Sequence, residues 1–146
     1  MLIYLSDDVA IDKGYVEKLH KAGLVSFDDF MNFTRGKLVK RRGRKEVWQV
    51  EIDGNLFFLK KRLSSLWDFL SALMRGGMLG FYGLKELHNI ALLNRLGFET
   101  VKPVAAGSRW HTGFVNEAFL MTEAVDAVTL DAFLRDEFAP PLTKEQ

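Results

Sequence analysis

The spacing of apolar side chains changes period several times along the chain. From Asp8 to His20 they recur four apart, at Ile11, Tyr15 and Leu19, which is one face of a helix, and Gly23 supplies a stop. Gly14 works against helix inside that stretch. Ser26 is a good N-cap for a second short helix that carries Phe27, Phe30 and Met31. Residues 7–33 therefore read as short helices. Over residues 46–62 the period falls to two, around Asp53-Gly54, a dipeptide that favours a two-residue hairpin turn. A strand near Lys37–Arg41, turning at Arg42, Gly43 and Arg44, completes a three-stranded antiparallel sheet.

Helical spacing resumes at Ser65–Met74, which runs into the glycine-marked stretch Gly76–Gly80. Leu84–Leu96 is the strongest helix, closed by Gly97 in the usual C′ position. Val101–Ser108 and Glu117–Glu123 alternate as two more strands, joined by a polar loop through Trp110 and His111. Thr129 caps a last helix, Leu130–Phe138, ahead of Pro140 and Pro141. The order predicts an α+β fold: a five-stranded antiparallel sheet, one principal helix and a helical N-terminal extension.

The hairpin register follows from its turn. With Asp53-Gly54 at the tip, Ile52 faces Asn55 and every opposed pair has numbers summing to 107. One face then holds Trp48, Val50, Ile52, Phe57, Leu59 and Lys61, and the N-terminal helices would roof it. The other holds Val47, Gln49, Glu51, Leu56, Phe58 and Lys60. Lys60 thus ends an inward row. It reads either as a solvated strand-end charge or as a functional cation, and a three-residue loop would put Lys61 there instead. On the strong helix, Glu86 shares a side with Ile90 and Leu93, at the border of the apolar stripe. A first-turn glutamate favoured by the helix dipole is its plain reading; a partner for a nearby cation is the other.

Composition narrows the chemistry. At 146 residues and 48% hydrophobic, the chain suits one domain with a genuine core. It has no cysteine, which excludes disulfide scaffolds, thiolate metal sites and cysteine nucleophiles, and fits a reducing cytoplasm. Its three histidines, His20, His88 and His111, lack ligand spacing. The first residues do not resemble a signal peptide, and no run of eighteen apolar residues occurs. The net charge of +1 conceals a basic block: residues 35–62 hold ten Lys/Arg against three Asp/Glu.

Three strands with a lysine on the third, a helix with a glutamate, and two strands leading to an acidic segment together resemble the N-terminal lobe of a protein-kinase-like fold. From Gly23 onward the chain resembles the lipopolysaccharide core kinases, the Kdo and heptose kinases. The resemblance rests on Gly23–Met31 (GLVSFDDFM), Val39–Val47 (VKRRGRKEV), Phe57–Lys60 (FFLK), Leu84–Leu87 (LKEL), Leu93–Gly107 (LNRLGFETVKPVAAG) and Ala118–Val125 (AFLMTEAV). It spans residues 23–136 and implies an extension over 1–33, an N-lobe over 34–125, and a hinge with the start of a C-terminal lobe over 126–146.

The resemblance implies ATP as nucleotide and a lipopolysaccharide core sugar as acceptor. Lys60 would anchor phosphates, with Glu86 as its helix partner. Val47 and Phe58 would cover the base, Thr122 would be the gatekeeper, and Glu123 and Val125 would present backbone groups to the adenine edge. The loop Lys40–Lys45 would stand over the phosphates, with one glycine, Gly43, where protein kinases have three. Its side-chain charge then replaces part of the backbone cradle, or contacts acceptor phosphates. The aspartate of the catalytic loop and the acid that holds Mg²⁺ have no counterpart in the chain, so it is expected to bind nucleotide weakly, if at all, and not to transfer phosphate alone.

Other readings stay open. The chain would serve as a non-catalytic N-lobe remnant or interaction module. A nucleic-acid ribbon on the basic block is disfavoured, because Trp48, Phe57 and Phe58 alternate like core residues and form no stacking platform. Ser65–Tyr82 reads as an insertion packed beside the glutamate helix, or as a surface that docks a cytoplasmic protein on the inner membrane.

Overall fold

The computed structural model describes residues 2–6, 8–63, 82–111 and 115–125. Strands β1 (Leu2–Ser6), β2 (Val9–Asp12), β3 (Lys37–Arg42), β4 (Lys45–Ile52), β5 (Asn55–Leu63), β6 (Pro103–His111) and β7 (Val115–Glu123) join in one sheet. Their spatial order is β1-β2-β6-β7-β5-β4-β3, with antiparallel neighbours throughout. Helices α1 (Val16–Lys21) and α2 (Phe27–Asn32) lie between β2 and β3, and α3 (Tyr82–Arg95) precedes β6.

The sheet therefore has seven strands among the described residues, where the sequence pattern predicts five. Of the additional pair, β2 comes from residues read as the start of a helix and β1 from the residues ahead of it. Val9, Ala10 and Ile11 are all buried: Val9 and Ile11 belong to the main core, and Ala10, opposite Ala106, lies on the other face of a strand that β1 and β6 flank. A strand covered on both faces is a continuous apolar run and shows no alternation. Helix begins only beyond Asp12, whose carboxylate accepts from the Gly14 N–H at 3.0 Å. The second helix starts where expected: Ser26 and Asp29 form a reciprocal capping box.

The β4–β5 hairpin has the expected register, from Lys45 opposite Arg62 to Ile52 opposite Asn55. Asp53 and Gly54 both take positive φ, 49° and 71°, as a two-residue turn that matches strand twist requires. β6 and β7 run further than the pattern suggests: Trp110 pairs with Asn116 and His111 with Val115, so both belong to the ladder and not to a loop.

The main core lies on one face, between the sheet and the N-terminal helices. Tyr15, Leu19, Leu24, Phe27 and Phe30 pack on Val50, Phe57, Leu59, Phe119 and Met121. Phe30 stacks on Phe119 at 4.3 Å between centroids. Gly107 is there for room: a Cβ at that position would lie 2.4 Å from the Phe119 ring and 2.6 Å from the Asp8 carbonyl oxygen.

Lys61 is buried on this same face. Its ammonium donates to the carbonyls of Met31 (2.9 Å) and Phe33, at the end of α2. Burial pushes its pKa below the ordinary 10.5, partly offset by Glu46. Lys61→Met should leave those two acceptors unsatisfied and cost about 2 kcal/mol in a thermal or urea melt. Between the lowered folded-state pKa and 10.5 the unfolded chain binds more protons, so stability should rise with pH through that window. The methionine variant should lose that rise.

On the opposite face α3 crosses β6 and β7 and buries Leu87 and Ile90 against Ala106 and Leu120. Leu93, expected on the buried stripe, is 41% exposed, because the contact is made by Leu87 and Ile90. Gly97, at φ 84°, ends the helix: its N–H donates to the Asn94 carbonyl, and the Phe98 N–H reaches back to the Leu93 carbonyl. The helices expected at Ser65–Met74 and Leu130–Phe138, the stretch Gly76–Gly80, the surface through Ser65–Phe81 and the segment 126–146 lie outside the described residues. Among the described residues no helix is long and apolar enough to cross a membrane.

Candidate functional site

Strand alternation decides which side chains share the α3 face. Lys60 sits opposite Val47 on β4 and opposite Leu120 on β7, so these three share that side of the sheet. Two residues toward the hairpin tip, Phe58 is flanked by Gln49 and Thr122. Two residues the other way, Arg62 is flanked by Lys45 and Ala118.

Helix α3 brings the acid. Because Leu87 and Ile90 dock on the sheet, Glu86 lies at the helix edge nearest β5, and its Oε1 accepts from Lys60 Nζ at 2.8 Å. Both side chains are about half exposed, 49% for Lys60 and 47% for Glu86. An ion pair that wet is worth at most about 1 kcal/mol of stability. Its consequence is positional: the carboxylate holds the ammonium on one wall of a pocket. That pocket, of about 430 Å³, is lined by Val47, Lys60, Glu86, Asn89 and Leu120, with Lys45 and Arg62 at one end.

The other predicted site residues continue along β5 and β7 away from this pocket's lining. Thr122 is buried, facing Phe58 across one ladder position and Pro103 across the other. Glu123 follows with its side chain on the opposite face, where it accepts from the Tyr15 hydroxyl and lies 3.6 Å from Lys102 Nζ. Its N–H donates to the Lys102 carbonyl, and the Ala124 N–H to the Leu56 carbonyl. The chain is therefore held on both sides up to Ala124, and Val125 emerges exposed. Val47, Lys60 and Glu86 share one pocket, Phe58 and Thr122 pair on the adjoining stretch of sheet, and Glu123 and Val125 close the end of β7.

The pocket lining also includes Asn89 and Arg62, which were not singled out from the sequence, and Lys45, the end of the basic loop that was. Asn89 is one turn beyond Glu86, and Lys45 and Arg62 are an opposed pair under the same register that places Lys60. The neighbouring acid Glu46 belongs to the other face. It accepts from Trp48 Nε1 and from Arg41, which together hold its pKa below the ordinary carboxylate value and keep it charged and occupied. Among the described residues no three His, Asp or Glu side chains gather as a metal site.

No protein-family model matches the chain, and no curated protein does. A solved structure shares its fold. It is that of WaaP in complex with acyl carrier protein, at 22% sequence identity and a TM-score of 0.59. The match covers 91% of this chain and 48% of the WaaP chain, so this chain spans about half the length of the WaaP chain it matches. The fold is thus mixed α/β and shared with that structure.

Proposed function

We propose that this chain is the nucleotide-binding lobe of an ATP-dependent kinase acting on a sugar, Kdo or heptose, of the lipopolysaccharide inner core. The observation that carries this reading is the 2.8 Å pair of Lys60 and Glu86 on the wall of a pocket in a kinase-like fold. The motif resemblance to the core kinases supplies the substrate class, and WaaP, whose fold this chain shares, is a lipopolysaccharide core heptose kinase.

In this reading the adenine lies against Val47 and Phe58, below Thr122. The backbone carbonyl of Glu123 and N–H of Val125 meet its edge, as the fixed end of β7 permits. The phosphates then run along β5 to Lys60. The donor set fits that group: a lysine fixed by a carboxylate presents a compact cation at one point, and the apolar walls Val47 and Leu120 weaken water's competition. Mg²⁺, when bound, would neutralise phosphate charge; the described residues supply no ligand cluster for it. What the chain's own residues do is bind and orient the nucleotide.

Calorimetric titration with ATP tests the reading. A saturable isotherm is expected. Glu86→Gln, which frees the ammonium to swing, should weaken ATP about fivefold, consistent with a partial loss of positioning. Absence of any ATP binding at millimolar concentration would overturn the proposal.

A further inference from the structure

Ring packing alone would be served by phenylalanine at position 15, so the Tyr15 hydroxyl needs its own account. The ring is buried, in the 3₁₀ turn Lys13–Tyr15 that Asp12 caps, and meets Phe57 edge-on at 6.0 Å between centroids. Phe57 is the ladder partner of Glu123, so this turn of the N-terminal extension reaches the end of β7. There the Tyr15 hydroxyl donates to Glu123 Oε1 and accepts from Lys102 Nζ at 2.8 Å. The same ammonium lies 3.6 Å from Glu123 Oε1 and 4.8 Å from the centre of the Tyr15 ring. A hydroxyl that gives one bond and takes another thus joins a cation and a carboxylate in a closed three-residue network.

Its members come from three distant stretches: the N-terminal extension, the residue that leads into β6, and the last residue of β7. Lys102 and Glu123 are 57% and 39% exposed, so their ion pair contributes little to stability. The network's effect is orientation. The Glu123 N–H is held by the Lys102 carbonyl at 3.0 Å and the Ala124 N–H by the Leu56 carbonyl at 2.9 Å. The side chain of Glu123 adds a tether on the face away from the Lys60 pocket, two residues before Val125 emerges exposed. A strand end held by backbone bonds alone can twist about its axis. A side chain fixed in one rotamer by two partners, one of them a buried ring, resists that twist.

We propose that Tyr15 and Lys102 are positioning residues for base recognition, acting through the Glu123 side chain to fix the direction in which the backbone of Glu123 and Val125 faces the base. The N-terminal extension is thereby coupled to base selectivity as well as to the core. The inference rests on the nucleotide-binding reading, which puts the adenine edge at Glu123 and Val125, while the network itself stands on the contacts of Tyr15.

The test uses the 146-residue chain as wild type, Tyr15→Phe, Lys102→Gln and Lys102→Arg. Tyr15→Phe keeps the ring on Phe57 and removes only the hydroxyl; Lys102→Arg keeps a cationic donor. Melting temperatures should stay within about 4 °C of wild type. Each chain is titrated with ATP, GTP and inorganic tripolyphosphate, and amide hydrogen exchange is followed at Leu120 and Ala124 without nucleotide. Tyr15→Phe and Lys102→Gln should weaken ATP about fivefold and shrink the preference for ATP over GTP by about the same factor, with tripolyphosphate unchanged. Lys102→Arg should recover most of the loss. Exchange at Ala124 should quicken about tenfold in the two weakened variants, with Leu120 unaffected.

A loss of ATP matched by an equal loss of tripolyphosphate would mean that the network only supports the fold. An unchanged preference for ATP over GTP, or unchanged exchange at Ala124, would mean that it does not set the end of β7. Each of these results overturns the positioning role. The two proposals fail differently. ATP binding that depends on Lys60 but not on Tyr15 or Lys102 leaves the nucleotide reading standing alone. A wild-type chain that does not bind ATP removes that reading, and the positioning role with it.

Discussion

Phe119→Ala should destabilise the fold by about 4 kcal/mol, the upper range for deleting a buried aromatic ring. Phe119 is 1% exposed, stacks on Phe30 at 4.3 Å and meets Phe27 at 5.6 Å. Through it the β7 strand is fastened to α2, and on its far side Gly107 has no side chain to collapse into the space. The void would therefore stay largely open. Against a typical total of about 5–15 kcal/mol, that is a major fraction, and the melting temperature should fall by roughly 10 °C. Thermal and urea denaturation check it; a loss below about 1 kcal/mol would mean that the three rings do not form the centre of the core.

Lys60→Ala is the functional counterpart. The alanine chain should fold as wild type, since the lost ion pair is half exposed on both sides and contributes little to stability. ATP affinity should fall about a hundredfold, the equivalent of one charge-assisted contact of roughly 3 kcal/mol. AMP affinity should fall much less, because its single phosphate leaves most of the interaction with the base side of the cleft. Equal ATP binding by wild type and variant would remove Lys60 from the assignment. The comparison is clean because Lys61, one residue on, has the opposite behaviour: it is a structural cation, buried against Met31 and Phe33, whose loss should show in stability and not in nucleotide binding.

Much of this was legible in the chain, for identifiable reasons. Asp53-Gly54 sets a turn, the turn sets a register, and the register sorts side chains onto faces, so the sequence assigns Lys60 and Lys61 to opposite sides. Ser26 and Gly97 mark helix ends through backbone groups that must be satisfied locally. Ile11, Tyr15 and Leu19 show where such reasoning stops. All three are buried in one core, yet they belong to a strand, a 3₁₀ turn and a helix. Their spacing reported burial correctly, but of the three only Leu19 lies in an α-helix, because Ile11 belongs to β2, whose pairing partner β6 is about a hundred residues away.

The site divides the same way. The inward row with Val47, Phe58 and Lys60 came from alternation. Its meeting with Glu86 depends on how α3 lies across β6 and β7, which no local pattern encodes; only the family resemblance suggested it. That Lys40 lies opposite Val47 required the β3 pairing, and that pairing contains an irregularity between Leu38 and Lys40 which alternation alone would misplace. Lys61 is a further case: nothing in its own surroundings signals that carbonyls nearly thirty residues earlier need a donor.

The most direct measurement is a backbone amide NMR titration of the isotope-labelled chain with ATP. The account predicts saturable shift changes that cluster at Val47, Phe58, Lys60, Glu86, Thr122 and Val125, on one face of the sheet and along the first turns of α3. Shifts confined to the exposed strand Lys37–Arg42, or no saturable shifts at all, would contradict it.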